Sequence, residues 1–259
     1  GASQECDCDF VGSGDTVIDP ALLTWYRDTY VMDPVEKTGF DRNLWKWEYP
    51  NYNKQYMVVA DVARGDGADY STAQVIDIED SSQVAEYRGM VETKDFGNFL
   101  TSLATEYNNA LLVIENSNVG WACIQQVIDR QYPNLFYMSN DLKYVDTERQ
   151  MSNKYYRDEK QMVAGFSTTA KTRPLIISAL DTYMNNKDIL IRSGRLIDEM
   201  FTFIWNGGRA EAMKGYNDDL IMALAIGLWV RNTALRLKQE GIDLTKQMLN
   251  SSQINKYDG

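Results

Sequence analysis

Four carboxylates stand where apolar runs begin or end. Asp61 closes Tyr56-Met57-Val58-Val59-Ala60, and Glu115 closes Leu111-Leu112-Val113-Ile114. A carboxylate at the end of a buried strand is costly unless it is paired or binds a cation. Asp218 and Asp219 open the run Leu220-Ile221-Met222-Ala223-Leu224-Ala225-Ile226-Gly227-Leu228-Trp229. Neighbouring helical residues point about 100° apart, so these two acids cannot do the same job: one would face a cation and the other would support the helix end. Acids from two strand ends and one helix start would form an oxygen cage for Mg²⁺ or Mn²⁺. Two such ions, roughly 3.5–4 Å apart, activate water and stabilise the leaving oxygen in phosphodiester hydrolysis. That chemistry needs no histidine, and the chain has 0. Asp66 and Asp69, in the turn that follows Asp61, are auxiliary candidates.

Each position also admits a plainer use. Asp61, Asp66 and Asp69 suit a turn, Glu115 suits a solvent-facing strand end, and Asp218 and Asp219 suit the dipole of a helix capped by Asn217. Residue type and spacing alone do not choose between these uses.

Other chemistries are excluded more sharply. No G-x-x-x-x-G-K-[ST] occurs, so this chain should not hydrolyse ATP. Ser-His and Cys-His catalysis fail without histidine. The three cysteines, Cys6, Cys8 and Cys123, are too few for a structural zinc site and fit a reducing compartment better than a disulfide framework. No stretch approaches transmembrane length. Gly1-Ala2-Ser3, with no initiator Met or signal peptide, reads as the start of a piece of a longer polypeptide.

Charge cuts against a simple nucleic-acid binder: 26 basic residues face 37 acidic ones, a net of −11. The objection weakens if acids gather around metal ions and another module delivers the DNA. The best basic-aromatic stretch holds Lys143, Arg149, Lys154, Arg157, Lys160, Lys171 and Arg173 with Tyr144, Tyr155 and Tyr156. It suits phosphate contact and equally a solvated loop.

The elements that must position the acids follow from pattern. Asp19-Pro20 predicts a capped short helix through Tyr26. An aromatic lead-in follows up to about residue 50, and the main domain spans 51–240. Strands are expected at 55–62, 71–78, 83–90, 111–115 and 135–138, with helices at 94–108 and 121–129. Residues 139–170 read as an insertion. Further helices are expected at 171–185 and 196–200, short extended pieces at 189–191 and 201–205, a loop at 206–214, and a long helix from Asn217. Residues 241–259 read as a polar tail. The order predicts an α/β fold, a mixed five-stranded sheet with helices on both faces. In it the first and fourth strands run parallel, bringing Asp61 and Glu115 to one sheet edge.

Three segments together resemble the acidic motifs of the nuclease domain of the large terminase subunit of tailed bacteriophages, especially the myovirus type. They are Val59-Ala60-Asp61-Val62-Ala63-Arg64-Gly65-Asp66-Gly67-Ala68-Asp69-Tyr70, Val113-Ile114-Glu115-Asn116-Ser117-Asn118-Val119-Gly120, and Gly215-Tyr216-Asn217-Asp218-Asp219-Leu220 with the apolar run beyond. The stretch Gln4–Ile18 resembles the place where that family's ATPase module ends. The resemblance implies an RNase H-like (retroviral-integrase-type) fold. It implies a DNA-packaging motor that cuts concatemeric double-stranded DNA, using two Mg²⁺ or Mn²⁺ ions. By matching position, Asp61, Glu115 and Asp219 are the primary ligands, with Asp69 and Asp218 supporting. Asn217 stands where many relatives carry histidine. Implied partners are DNA, the N-terminal ATPase, the portal and the small terminase subunit, in the host cytoplasm at the procapsid. Two other readings remain: a resolvase- or integrase-like enzyme of the same fold, and a non-catalytic docking module of the motor.

Overall fold

The structure, a computed structural model, describes residues 16–63, 70–117, 119–139 and 162–232. At its centre three strands, β3 (Tyr56–Asp61), β4 (Ser71–Asp77) and β5 (Gln83–Gly89), form an antiparallel meander. Helix α2 (Thr93–Glu106) carries the chain back so that β6 (Leu111–Ile114) lies parallel beside β3. α3 (Gly120–Asp129) then packs on α2. Gly97 permits that contact, because a Cβ there would meet the Cys123 carbonyl oxygen at 2.8 Å. Cys123 is itself buried and free; burial pushes its thiol up to about 12, which makes it a poor nucleophile.

The expected sheet of five strands has six, in the order β1-β2-β5-β4-β3-β6. The lead-in supplies the difference. After α1 (Pro20–Tyr30), which Asp19 caps as anticipated by accepting the Ala21 N–H, come two three-residue strands, β1 (Glu36–Thr38) and β2 (Leu44–Lys46). β2 pairs with β5, so this segment is built into the sheet. Strands this short leave almost no periodic signal. The expected fifth strand docks differently. Asn134 and Phe136 exchange backbone hydrogen bonds with Leu112 (both 2.9 Å), while β7 (Tyr137–Ser139) pairs antiparallel with β8 (Met162–Ala164) in a separate two-stranded sheet.

Alternation along β3 separates two cores. Tyr56, Val58, Ala60 and Val62 join the layer of α2 and α3. Met57 and Val59 face the other layer, built from α1, α4 (Thr172–Asn186), α5 (Gly194–Phe201) and a further helix, α6, described over residues 219–232. α6 lies close on the sheet because Gly227 has no side chain; a Cβ there would meet Val59 Cγ2 at 2.9 Å and Ile76 Cδ1 at 3.0 Å. About three turns along α6, Arg231 donates to the carbonyls of Ile78 (2.6 Å) and Glu79 (2.7 Å) and to the Tyr183 hydroxyl (2.7 Å).

Two expectations shift. The extended piece at 189–191 makes a single parallel bridge, Ser82 to Leu190. The loop expected at 206–214 begins as a hairpin of β9 (Phe203–Asn206) and β10 (Arg209–Ala212). Gly207 and Gly208 turn it with φ of +57° and +82°, a conformation that favours glycine. Among the described residues no helix is long and apolar enough to cross a membrane.

Candidate metal centre

The ladder between β3 and β6 pairs Ala60 with Ile114, and the Glu115 N–H continues it by donating to the Ala60 carbonyl at 2.9 Å. The next rung is therefore Asp61 beside Glu115. Val59 and Val113, two residues earlier, both face the α6 layer. By the two-residue period of a strand, the two carboxylates emerge on that same face. The first turn of α6 meets them there. Thr72, paired with Asp61 across β3 and β4, donates its hydroxyl to the Asp219 carbonyl at 2.9 Å. The Tyr70 N–H donates to Asp219 Oδ2 at 3.2 Å.

Asn217 was expected to cap α6, but the helix begins one residue later. The Asp218 carbonyl accepts the Met222 N–H at 2.8 Å, which makes Asp218 the capping residue. Its side chain is engaged elsewhere: Arg173 Nη2 donates to Asp218 Oδ2 at 3.1 Å and to the Ala210 carbonyl at 2.8 Å. Asp218 and Asp219 thus differ in their contacts.

Electrostatics register the convergence. The Asp61 carboxyl is held well above the usual carboxylate range, first by desolvation and then by the charges of Glu115, Asp219 and Asp218. Among the described residues no three such side chains stand close enough to hold an ion as they are placed. The donors are all carboxylate oxygens, the hard ligands that Mg²⁺ and Mn²⁺ take.

The neighbourhood of Glu115 is built tightly. A Cβ on Gly120 would stand 2.0 Å from the Glu115 carbonyl oxygen. One on Gly165, whose φ is +80°, would stand 2.4 Å from the Ile114 oxygen. Asn116 is buried, donates to the Ala164 carbonyl at 3.0 Å and accepts from Ser167 Oγ at 3.0 Å.

Glu199 went unnoticed in the sequence. It is buried in α5, accepts the Leu220 N–H at 3.0 Å and lies 3.9 Å from Arg88. Its carboxyl is pushed up to about 8, by burial first, against the opposing pull of Arg88 and with help from Asp219 and Glu86. The signal was present: Leu196, Glu199 and Met200 share one helical face, which places an acid in an apolar stripe. Asp66, Asp69, Lys143, Arg149, Lys154, Arg157 and Lys160, with Tyr144, Tyr155 and Tyr156, lie outside the described residues. Of the basic candidates within them, Arg173 meets the acids through Asp218, and Lys171 is exposed just before α4.

A pH dependence follows from the two raised carboxyls. Both bind protons more readily folded than unfolded. Their stabilising contribution is complete below the unfolded values of 3.8 for Asp61 and 4.5 for Glu199, and for Glu199 it is lost as pH rises through about 8. With EDTA present, Tm is expected to fall between pH 6 and pH 9, and Mn²⁺ at pH 8 is expected to restore it. Thermal scans across that range check this; a Tm that climbs with pH would contradict it.

No protein-family profile matches the chain. Its fold does match solved structures. The large terminase nuclease from thermophilic phage G20c with bound magnesium is 18% identical, with a TM-score of 0.60, covering 84% of this chain and 98% of that one. The same nuclease with bound cobalt gives the same figures. The large terminase nuclease domain of Thermus phage P74-26 is 19% identical, with a TM-score of 0.55, covering 79% of this chain and 92% of that one. The likeness is one of architecture: the chain has the RNase H-like α/β fold of large-terminase nuclease domains.

Proposed function

We propose that the chain is the metal-dependent endonuclease domain of a viral DNA-packaging terminase, cutting concatemeric double-stranded DNA. The observation that carries this is the convergence of Asp61, Glu115, Asp219 and Asp218 at one edge of the sheet. The match in fold to nuclease domains holding magnesium or cobalt supports it.

In this reading Asp61, Glu115 and Asp219 hold two Mg²⁺ or Mn²⁺ ions, with Asp218 and Asp69 in support. Bound there, the ions supply Lewis-acid activation of a water and neutralise charge on the leaving oxygen. The protein's own part is placement. The parallel register of β3 and β6, continued one residue beyond Ala60 and Ile114, sets Asp61 beside Glu115. Tyr70 and Thr72 hold Asp219, and Arg173 holds Asp218. Lys171 and Arg173, with Lys143, Lys154 and Arg157, contact the DNA backbone, each releasing counterions as it does so. The ATPase module of the same polypeptide delivers DNA, with the portal and small subunit as partners, in the host cytoplasm at the procapsid.

Digestion of supercoiled plasmid tests the proposal. Cutting is expected with Mg²⁺ or Mn²⁺, to vanish with EDTA, and to vanish in Glu115→Gln and Asp219→Asn while circular dichroism stays unchanged. Full activity in both variants would overturn the assignment. A non-catalytic docking module would show no carboxylate-dependent Mn²⁺ heat in calorimetry. Junction-selective cutting or strand transfer would point to the resolvase or integrase reading.

A further inference from the structure

The start of α6 is held by a closed ring of contacts. Leu220 donates its N–H to Glu199 Oε2 at 3.0 Å. Glu199 Oε1 faces Arg88 Nε at 3.9 Å, and the Arg88 guanidinium lies 4.2 Å from the centre of the Tyr70 ring. The Tyr70 N–H returns to Asp219 Oδ2 at 3.2 Å. Helices leave their first N–H groups unsatisfied, and the side chain of the capping residue usually accepts from one of them. Here the capping residue is Asp218, whose carboxylate is engaged by Arg173. Glu199, reaching across from α5, accepts the N–H of the second helical residue.

Glu199 is 6% exposed, and its Oε1 and Arg88 Nε are both buried without a hydrogen bond. A buried carboxylate with one unsatisfied oxygen costs free energy, which stability alone does not explain. We propose that Glu199 is a positioning residue for the metal centre. By capping α6 from outside, it fixes the first turn of the helix and with it the place of the Asp219 carboxylate. The inference rests on the metal-dependent nuclease reading. Glu199 touches neither ion nor DNA in it; it acts through Leu220 and Asp219. Arg88, aligned by Glu199, extends the hold to Tyr70, the first described residue after the 64–69 segment that contains Asp69.

Two substitutions separate reach from acidity. Glu199→Asp keeps a carboxyl group and shortens the reach, so Leu220 loses its acceptor. Glu199→Gln replaces the carboxyl with an amide and keeps an acceptor oxygen, at some cost in Tm because its amide would face Arg88. Both are mild enough to fold, which circular dichroism and thermal melts check. Mn²⁺ affinity is read by calorimetry, and the Mn²⁺ concentration giving half-maximal plasmid cutting is read separately from the maximal rate. Glu199→Asp is expected to weaken both metal measures by about tenfold or more, the usual cost of losing support behind a ligand. Glu199→Gln is expected to stay near wild type in both. If Glu199→Asp binds Mn²⁺ like wild type and only its Tm falls, Glu199 is merely structural and the proposal fails. If Glu199→Gln loses as much affinity as Glu199→Asp, an acceptor placed at Leu220 is not what sustains the metal centre, and it fails again. Should the wild-type chain show no Mn²⁺ binding that Asp61→Asn removes, the metal reading itself falls, a result distinct from either failure.

Discussion

Asp61→Asn is expected to abolish plasmid cutting while raising the thermal stability of the metal-free protein. The two effects share one cause. Asp61 is the carboxylate around which the others gather, and its charge is opposed by burial and by Glu115, Asp219 and Asp218. Asparagine keeps the shape and removes that charge. Without a cation the repulsion is relieved, so Tm in EDTA should rise, most of all at pH 8 and above. The fall of Tm with pH should also flatten, leaving the part due to Glu199. With metal the sign reverses. On the proposed reading a carboxylate ligand is lost, and if ion placement supplies about 4 kcal/mol of transition-state stabilisation, the rate falls by about 10³-fold. Plasmid digestion and melts with and without Mn²⁺ check both halves. A variant that cuts like wild type would remove Asp61 from the site, whatever its Tm.

The second large effect concerns stability. Glu86, fully buried on β5, accepts hydrogen bonds from Gln74 (2.9 Å), Gln83 (3.1 Å) and Ser193 (2.7 Å) and is ion-paired with Arg195. Arg195 also donates to the Asn43 carbonyl and lies 3.9 Å from the centre of the Trp45 ring. It therefore ties the lead-in, the sheet and α5 together. Arg195→Met leaves the Glu86 charge buried without its cation, and breaking such a pair costs about 3–5 kcal/mol. That is a large share of the roughly 5–15 kcal/mol that holds an ordinary domain folded. The urea midpoint should drop accordingly. Adding Glu86→Gln to Arg195→Met should recover part of the loss, because the stranded charge is then gone. An unchanged midpoint in Arg195→Met would show that water or another cation already serves Glu86.

The central meander was legible because β3, β4 and β5 are apolar runs bounded by turns. The edge that joins Asp61 to Glu115 was legible because each acid ends such a run, and an amphipathic helix lies between β5 and β6. What stayed hidden has physical reasons. β10 reads Arg-Ala-Glu-Ala, residues with little strand preference; its pairing with β9 comes from the Gly207-Gly208 turn. β1 and β2 are three residues each and are held by neighbours, not by their own pattern. At α6 the cap falls one residue later than expected, on Asp218, whose side chain meets Arg173. Sequence spacing does not resolve such boundaries. Glu199 was missed because an acid on a short helix is ordinarily a solvated one; only its place in the stripe of Leu196 and Met200 marks it.

The two glycines beside Glu115 bear on how such a centre could be moved or lost. At 2.0 Å and 2.4 Å from backbone oxygens of the strand end, the Cβ positions of residues 120 and 165 lie inside van der Waals contact. Even alanine at either place would push the strand end aside and misdirect the acid it carries. A protein engineer who transplanted the acids alone onto a foreign sheet would obtain their chemistry without their aim. In drifting lineages, the carboxylate and its two bare neighbours should be inherited together or decay together.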